Sequence, residues 1–76
     1  MIAVGQEGIL VASTPIAIHG DVYLDVVIGD PQDPADLARH LRARLGPEAI
    51  AGDPVPGDRV RVQGFLRMVT GISRIE

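Results

Sequence analysis

The sequence predicts a small, mainly β domain: a five-stranded barrel with one α-helix, in the order β-β-β-α-β-β. Three observations lead to this prediction. Short runs of Val, Ile and Leu alternate with polar residues or end at Gly and Pro, which is typical of strands. One segment repeats leucine at helical spacing between a helix start signal and Gly-Pro. The chain has 76 residues, 46% of them hydrophobic, so residues 1–76 are expected to form a single domain with one core.

Two segments near the N-terminus predict the first three strands. The apolar run EGILVAS (7–13) is the first, and Thr14-Pro15 should then break or bend the strand, because proline has no N–H to donate to a ladder. The next segment, IAIHGDVYLDVVIGD (16–30), has the pattern of a hairpin with its turn at residues 19–21. Its second strand alternates, and the residues expected to face inward are Val22, Leu24, Val26 and Ile28.

A helix is predicted after these strands. Asp33 is a suitable N-cap, Pro34 fits the first helical position, and Gly46-Pro47 ends the segment. Leucines at i, i+4 and i+8 form one apolar stripe: Leu37, Leu41 and Leu45. On a helix, Arg42 and Arg44 would lie off that stripe, in solvent, near the negative C-terminal end.

The last third of the chain predicts a loop and a final hairpin. Residues 46–58 contain three prolines and three glycines and therefore form a loop, which Ile50 and Val55 would attach to the core. Two strands follow, RVRVQGFL (59–66) and RMVTGISRIE (67–76), with Val60, Val62 and Leu66 facing inward.

The predicted element order is that of the OB-fold, a five-stranded Greek-key barrel. Gly64, inside the fourth strand, indicates a bulge or sharp bend of the kind that barrel corners need. An SH3-like small barrel with an added helix is the alternative architecture.

Some of these residues resemble a known family. DLARHLRARL, a Pro/Gly loop and then GDRVRVQGFLR resemble the helix and fourth strand of bacterial single-stranded DNA-binding proteins, and GILVASTP is similar to their first strand. The resemblance covers about half of the chain and implies an OB-fold, a bacterial origin and single-stranded nucleic acid as ligand. The long basic and aromatic hairpins of that family are absent from the sequence, which suggests a minimal OB barrel. Met1 and the even composition favour a complete protein.

A basic stripe on the predicted fourth strand is the candidate binding site. The formal net charge is −3, yet residues 57–76 contain four arginines against two acids, which gives +2. Arginine suits phosphate contacts, and an aromatic ring can stack on a base. The candidate nucleic-acid-binding residues are Arg59, Arg61, Gln63, Phe65, Arg67 and Tyr23. The alternative is an ordinary solvated surface, on which Arg59 and Arg61 pair with Asp25 or Asp21.

The same composition argues against several other functions. With two histidines, His19 and His40, and no cysteine, neither a metal site nor a cofactor is expected, and no serine has the partners of a catalytic nucleophile, so an enzyme is not expected. The longest uncharged run, residues 8–20, is too short to span a membrane, and a cleaved signal peptide is not expected. A cytoplasmic location is the default expectation.

Two functions are therefore predicted. The first is weak or oligomer-dependent binding of single-stranded nucleic acid. The alternative is a protein-interaction or homo-oligomer-forming module without a nucleic-acid role, for which outward Val27, Val69 and Ile72 would supply apolar contacts.

Overall fold

A computed structural model describes residues 5–65 and 68–75, and of Phe65 the backbone alone. This part of the chain forms six strands: β1 (Glu7–Ile18), β2 (Asp21–Gly29), β3 (Leu41–Leu45), β4 (Ile50–Ala51), β5 (Arg59–Phe65) and β6 (Met68–Arg74). They make one sheet in the order β3-β2-β1-β5-β6-β4, in which only β4 and β6 pair in parallel. The mainly β class is confirmed, and the sheet is open between β3 and β4.

The first hairpin is longer than the sequence predicts. β1 continues through Thr14 and Pro15, so of the two predicted alternatives, a break or a bend, the break is wrong. In the described part of the chain β1 pairs with β5 only at residues 7–9, so Pro15 has a neighbouring strand on one side alone, the position in which a sheet tolerates proline. The turn is confirmed at His19 and Gly20, whose φ angles of 50° and 84° match the two-residue turn that follows the strand twist.

The predicted helix after Asp33 is wrong. Residues 37–39 form a single 3-10 turn, which the Asp36 carboxylate caps by accepting a hydrogen bond from the Ala38 N–H. Leu37 is 74% exposed, so it does not share a buried apolar face with Leu41 and Leu45 as the predicted helix required. The two 3-10 turns in the described residues are three residues each, and neither is long or apolar enough to cross a membrane.

The segment LRARL forms strand β3, although its pattern fits both the helical and the strand period. Leu41 and Leu45, spaced i, i+4, share a face on a helix and also on a strand. With β2 alongside, Ala43 joins the two leucines on the inner face of the sheet, while Arg42 and Arg44 are exposed. A strand therefore buries three apolar side chains and leaves both arginines in solvent, whereas a helix would leave Ala43 off the leucine stripe.

The C-terminal hairpin follows the prediction closely. β5 and β6 pair antiparallel, with a register shift between Gln63 and Gly64. The irregularity predicted at Gly64 is therefore present, but the extra residue is Thr70 on β6. The connection between these strands, Leu66 and Arg67, lies outside the described residues. In the preceding loop, Ile50 packs against the core as expected, whereas Val55 is 59% exposed and the prediction for it is wrong.

The core lies between the inner faces of the strands. Within the described residues its buried members are Leu10, Val26, Ile28, Leu45, Val60, Val62 and Ile72. Four of the side chains predicted to face inward are therefore confirmed. Leu24 is half-buried against this cluster, and Val22, near the tip of the first hairpin, is 54% exposed. Ile72, expected at the surface, is completely buried, and Val69 packs against the core.

Candidate nucleic-acid interface

Strand β5 places the basic stripe on the outer face of the sheet. Arg59, Arg61 and Gln63 are exposed, while Val60 and Val62 between them are completely buried. This alternation follows from the strand period of two, because one face of β5 covers the core and the other meets water. The predicted orientation of these three polar side chains is therefore confirmed.

Each of the three side chains has a specific contact. Arg59 Nη1 lies 3.7 Å from a Glu7 carboxylate oxygen, and Arg61 Nη1 donates a hydrogen bond of 3.2 Å to the Gly5 carbonyl. Gln63 Nε2 donates to Ser73 Oγ at 3.0 Å. The charge of Arg59 is thus partly neutralised by the Glu7 carboxylate, near the upper distance of an ion pair. Arg61 has no carboxylate partner within the described residues. The predicted pairing of these arginines with Asp21 or Asp25 is wrong.

Tyr23 is not brought to the stripe. On β1, the residue opposite Tyr23 is Ile16, and the residue opposite Arg59 is Ile9, seven positions away. At the rise of a strand, this separates the two side chains by roughly 20 Å along β1. The side chain of Phe65 and the whole of Arg67 lie outside the described residues.

A second pair of outward arginines, which the sequence predicted in solvent on a helix, lies on strand β3 instead. Arg44 forms a bidentate pair with Asp25 on β2, with Nε and Nη2 donating to the two carboxylate oxygens at 2.7 and 3.1 Å. Arg42 is exposed beside Val27 and makes no hydrogen bond or ion pair in the described structure. The alternation in LRARL was the available signal, but it was read as a helix.

The Asp25–Arg44 pair shifts the titration of its carboxyl group. Hydrogen bonds from the Arg44 side chain, with the guanidinium charge, lower the pKa of Asp25 below its ordinary value, although desolvation acts in the opposite direction. Because the pKa in the folded state is the lower one, the pair stabilises the fold above the ordinary value of 3.8. That contribution is lost as the pH falls through the lowered pKa.

Replacing Arg44 by alanine is expected to return the pKa of Asp25 toward 3.8, because the donors that hold its charged form are removed. Carboxyl carbon NMR shifts, followed from about pH 2 to 6, measure this directly. Arg42→Ala is the matched control, since Arg42 lies on the same strand and makes no bond to Asp25. Equal shifts in both variants would contradict the assignment of the effect to the bidentate contact.

Residues 5–65 and 68–75 contain no group of three or more His, Cys, Asp or Glu side chains that could hold a metal ion. His40 Nε2 donates to the Pro34 carbonyl at 2.7 Å, which fixes the ring against the loop after β2.

The fold and this site define a class: a small, mainly β domain with exposed arginines on the outer face of its sheet. Comparison with protein-family models, curated proteins and solved structures gives no match for the chain. Function is therefore argued from the geometry alone.

Proposed function

We propose that the chain is a minimal OB-type module that binds single-stranded nucleic acid weakly through the stripe on β5. The strand order supports the architecture. β1, β2 and β3 follow one another, and β5 returns beside β1, which gives the spatial order β5-β1-β2-β3 of a Greek key. Residues 46–49 join β3 to β4, the two ends of the sheet, so the sheet must curve for its ends to approach each other.

Arg61 is the observation that carries the functional proposal. It is exposed, it lies between Arg59 and Gln63 on the same face, and its only described contact is the Gly5 carbonyl. A guanidinium without a carboxylate partner keeps donors for phosphate oxygens, and the neighbouring amide can reach sugar or base. With a net charge of −3, the attraction is local, so binding should be weak in one subunit and stronger when several subunits combine.

Arg61→Ala is expected to weaken binding of a labelled oligothymidylate of about 16 nucleotides by roughly 5- to 10-fold, because a charged phosphate contact is lost. Fluorescence anisotropy at roughly 20 and 150 mM salt measures this, and the dependence of affinity on salt should become shallower by about 0.7 in log–log slope.

Arg74→Ala is the matched control for charge. It changes the net charge by the same amount, but Arg74 pairs with Asp58 at 3.4 Å and lies opposite Val60, away from the stripe. Its affinity should stay close to that of the wild type. A flat titration at low salt, or equal loss in both variants, would reject the stripe as a binding site.

The alternative function is protein interaction or oligomer formation, and the first hairpin favours it. Among the described residues, β1 beyond residue 13 pairs with β2 alone, and apolar side chains such as Ile16, Ile18 and Val22 lie on this arm. A two-stranded ribbon has little stability of its own, so a partner would add to it. Sedimentation analysis separates the two functions: a stable oligomer that is insensitive to salt and to Arg61→Ala favours the alternative.

A further inference from the structure

Strand β3 is an open edge of the sheet. It pairs with β2 on one side, and no strand in the described part of the chain pairs with its other side. Backbone hydrogen bonds outside the strands also leave this edge unused in residues 5–65 and 68–75. A row of unpaired N–H and C=O groups is a template for a further strand.

The register identifies the backbone groups on that edge. A two-residue turn closes on a hydrogen-bonded pair, which here is Ile18 and Asp21. The backbone N–H and C=O groups of odd-numbered β2 residues therefore bond to β1, and those of even-numbered residues bond to β3. Val26 is opposite Ala43, so Ala43 and its alternate neighbours point toward β2. The N–H and C=O groups of Arg42 and Arg44 consequently point to the open edge.

The same two residues place positive charge beside that edge. The Arg42 side chain is exposed and has no ion pair or hydrogen bond in the described structure, and Arg44 remains about half exposed beside Asp25. On the inner face, Leu41 and Ala43 are half-buried against the core. A strand added here would meet positive charge on one face and apolar side chains on the other.

We propose that β3 accepts an extended peptide in which acidic and apolar residues alternate, bound as an additional strand of the sheet. Acidic side chains two residues apart would lie opposite Arg42 and Arg44, and the apolar residues between them would cover Leu41 and Ala43. This site is separate from the stripe on β5 and uses none of its residues.

Charge decides between this partner and a second copy of the chain. In a symmetric antiparallel pair of β3 strands centred on Ala43, Arg42 of one copy lies opposite Arg44 of the other, and a shift of the centre by one residue, to Arg42 or Arg44, places that arginine opposite its own copy. Like charges directly opposite each other destabilise a strand pair. The arginines therefore protect the edge against self-association and favour an acidic partner.

Amide hydrogen exchange, followed by NMR, tests the proposal with a capped peptide of five Glu-Val repeats. Saturating peptide should slow exchange at the Arg42 and Arg44 amides by tenfold or more. The Ala43 amide, bonded to β2 in both states, should change little. A capped peptide with five glutamates followed by five valines has the same composition and should bind at least several-fold more weakly, because its charges cannot follow the strand period.

Two protein variants complete the experiment. Arg42→Glu should weaken binding of the alternating peptide by roughly tenfold, since an attractive cross-strand pair becomes repulsive. The exposed side chain of Arg42 has no bonds to lose, so the fold should be retained. Arg61→Ala should bind the peptide as the wild type does, which separates this site from nucleic-acid binding. Absence of slowed exchange at Arg42 and Arg44, or equal binding of the two peptides, would overturn the proposal.

Discussion

Ile72→Ala is expected to lower the free energy of unfolding by about 2–5 kcal/mol, the usual cost of truncating a buried isoleucine. The side chain of Ile72 is completely buried, and its residue pairs with Val62 on β5 and with Ile50 on β4. Truncation would leave a cavity where three strands meet. A domain of this length has roughly 4–11 kcal/mol in total, so the variant should be largely destabilised. Urea unfolding monitored by circular dichroism measures the loss.

Met68→Ala is the control for this prediction. Met68 is on the same strand and is 71% exposed, so its truncation should change the stability by less than about 0.5 kcal/mol. Similar midpoints for the two variants would mean that Ile72 does not lie in the core. The result also tests the burial of Ile72, a residue that the sequence pattern predicted to face outward.

Gly29→Ala is expected to cost about 1–3 kcal/mol because there is no room for a Cβ atom. A Cβ at this position would lie 2.8 Å from the Pro34 carbonyl oxygen and 2.9 Å from both Pro34 Cα and Val11 Cγ2. Two of these atoms belong to the backbone and cannot rotate away. Thermal or urea unfolding measures the effect, and it tests how closely residues 30–40 pack on the end of β2.

Gly46→Ala is the matched control for the glycine prediction. Its φ of −70° suits any residue, and the atoms nearest to the added Cβ would belong to the carboxylate of Glu48, an exposed side chain that can move. The stability should therefore change by less than about 0.5 kcal/mol. An equal loss in both variants would indicate a general cost of removing glycine and not the close approach of Pro34.

Short-range signals in the sequence predicted much of the sheet. The turn at His19-Gly20 is confirmed, because it depends on a few consecutive residues. The register irregularity expected at Gly64 is present, although the extra residue is on β6. The burial of Val60 and Val62 is also confirmed, since alternation within one strand fixes which face is apolar. The continuation of β1 through Pro15 could not be predicted locally. Whether a strand tolerates proline depends on whether a second strand lies alongside, which is a tertiary property.

The candidate site was predictable only within a single strand. The exposure of Arg59, Arg61 and Gln63 follows from their own alternation. Their contacts do not, because Glu7 and the Gly5 carbonyl come from the other end of the chain. Tyr23 was grouped with the stripe without knowledge of the register, and the register places it far along β1.

The sequence by itself determined the β class, the turn of the first hairpin and the alternation that puts arginines in water and valines in the core. Only the tertiary structure decided the state of LRARL, since leucines at i and i+4 satisfy the helical and the strand period equally. The edge of β2 that faces away from β1 decided it, because pairing there bonds the backbone of β3 and places Leu41, Ala43 and Leu45 together on the inner face. The same pairing set Arg44 against Asp25 and left Arg42 at the edge, positions that no local pattern specifies.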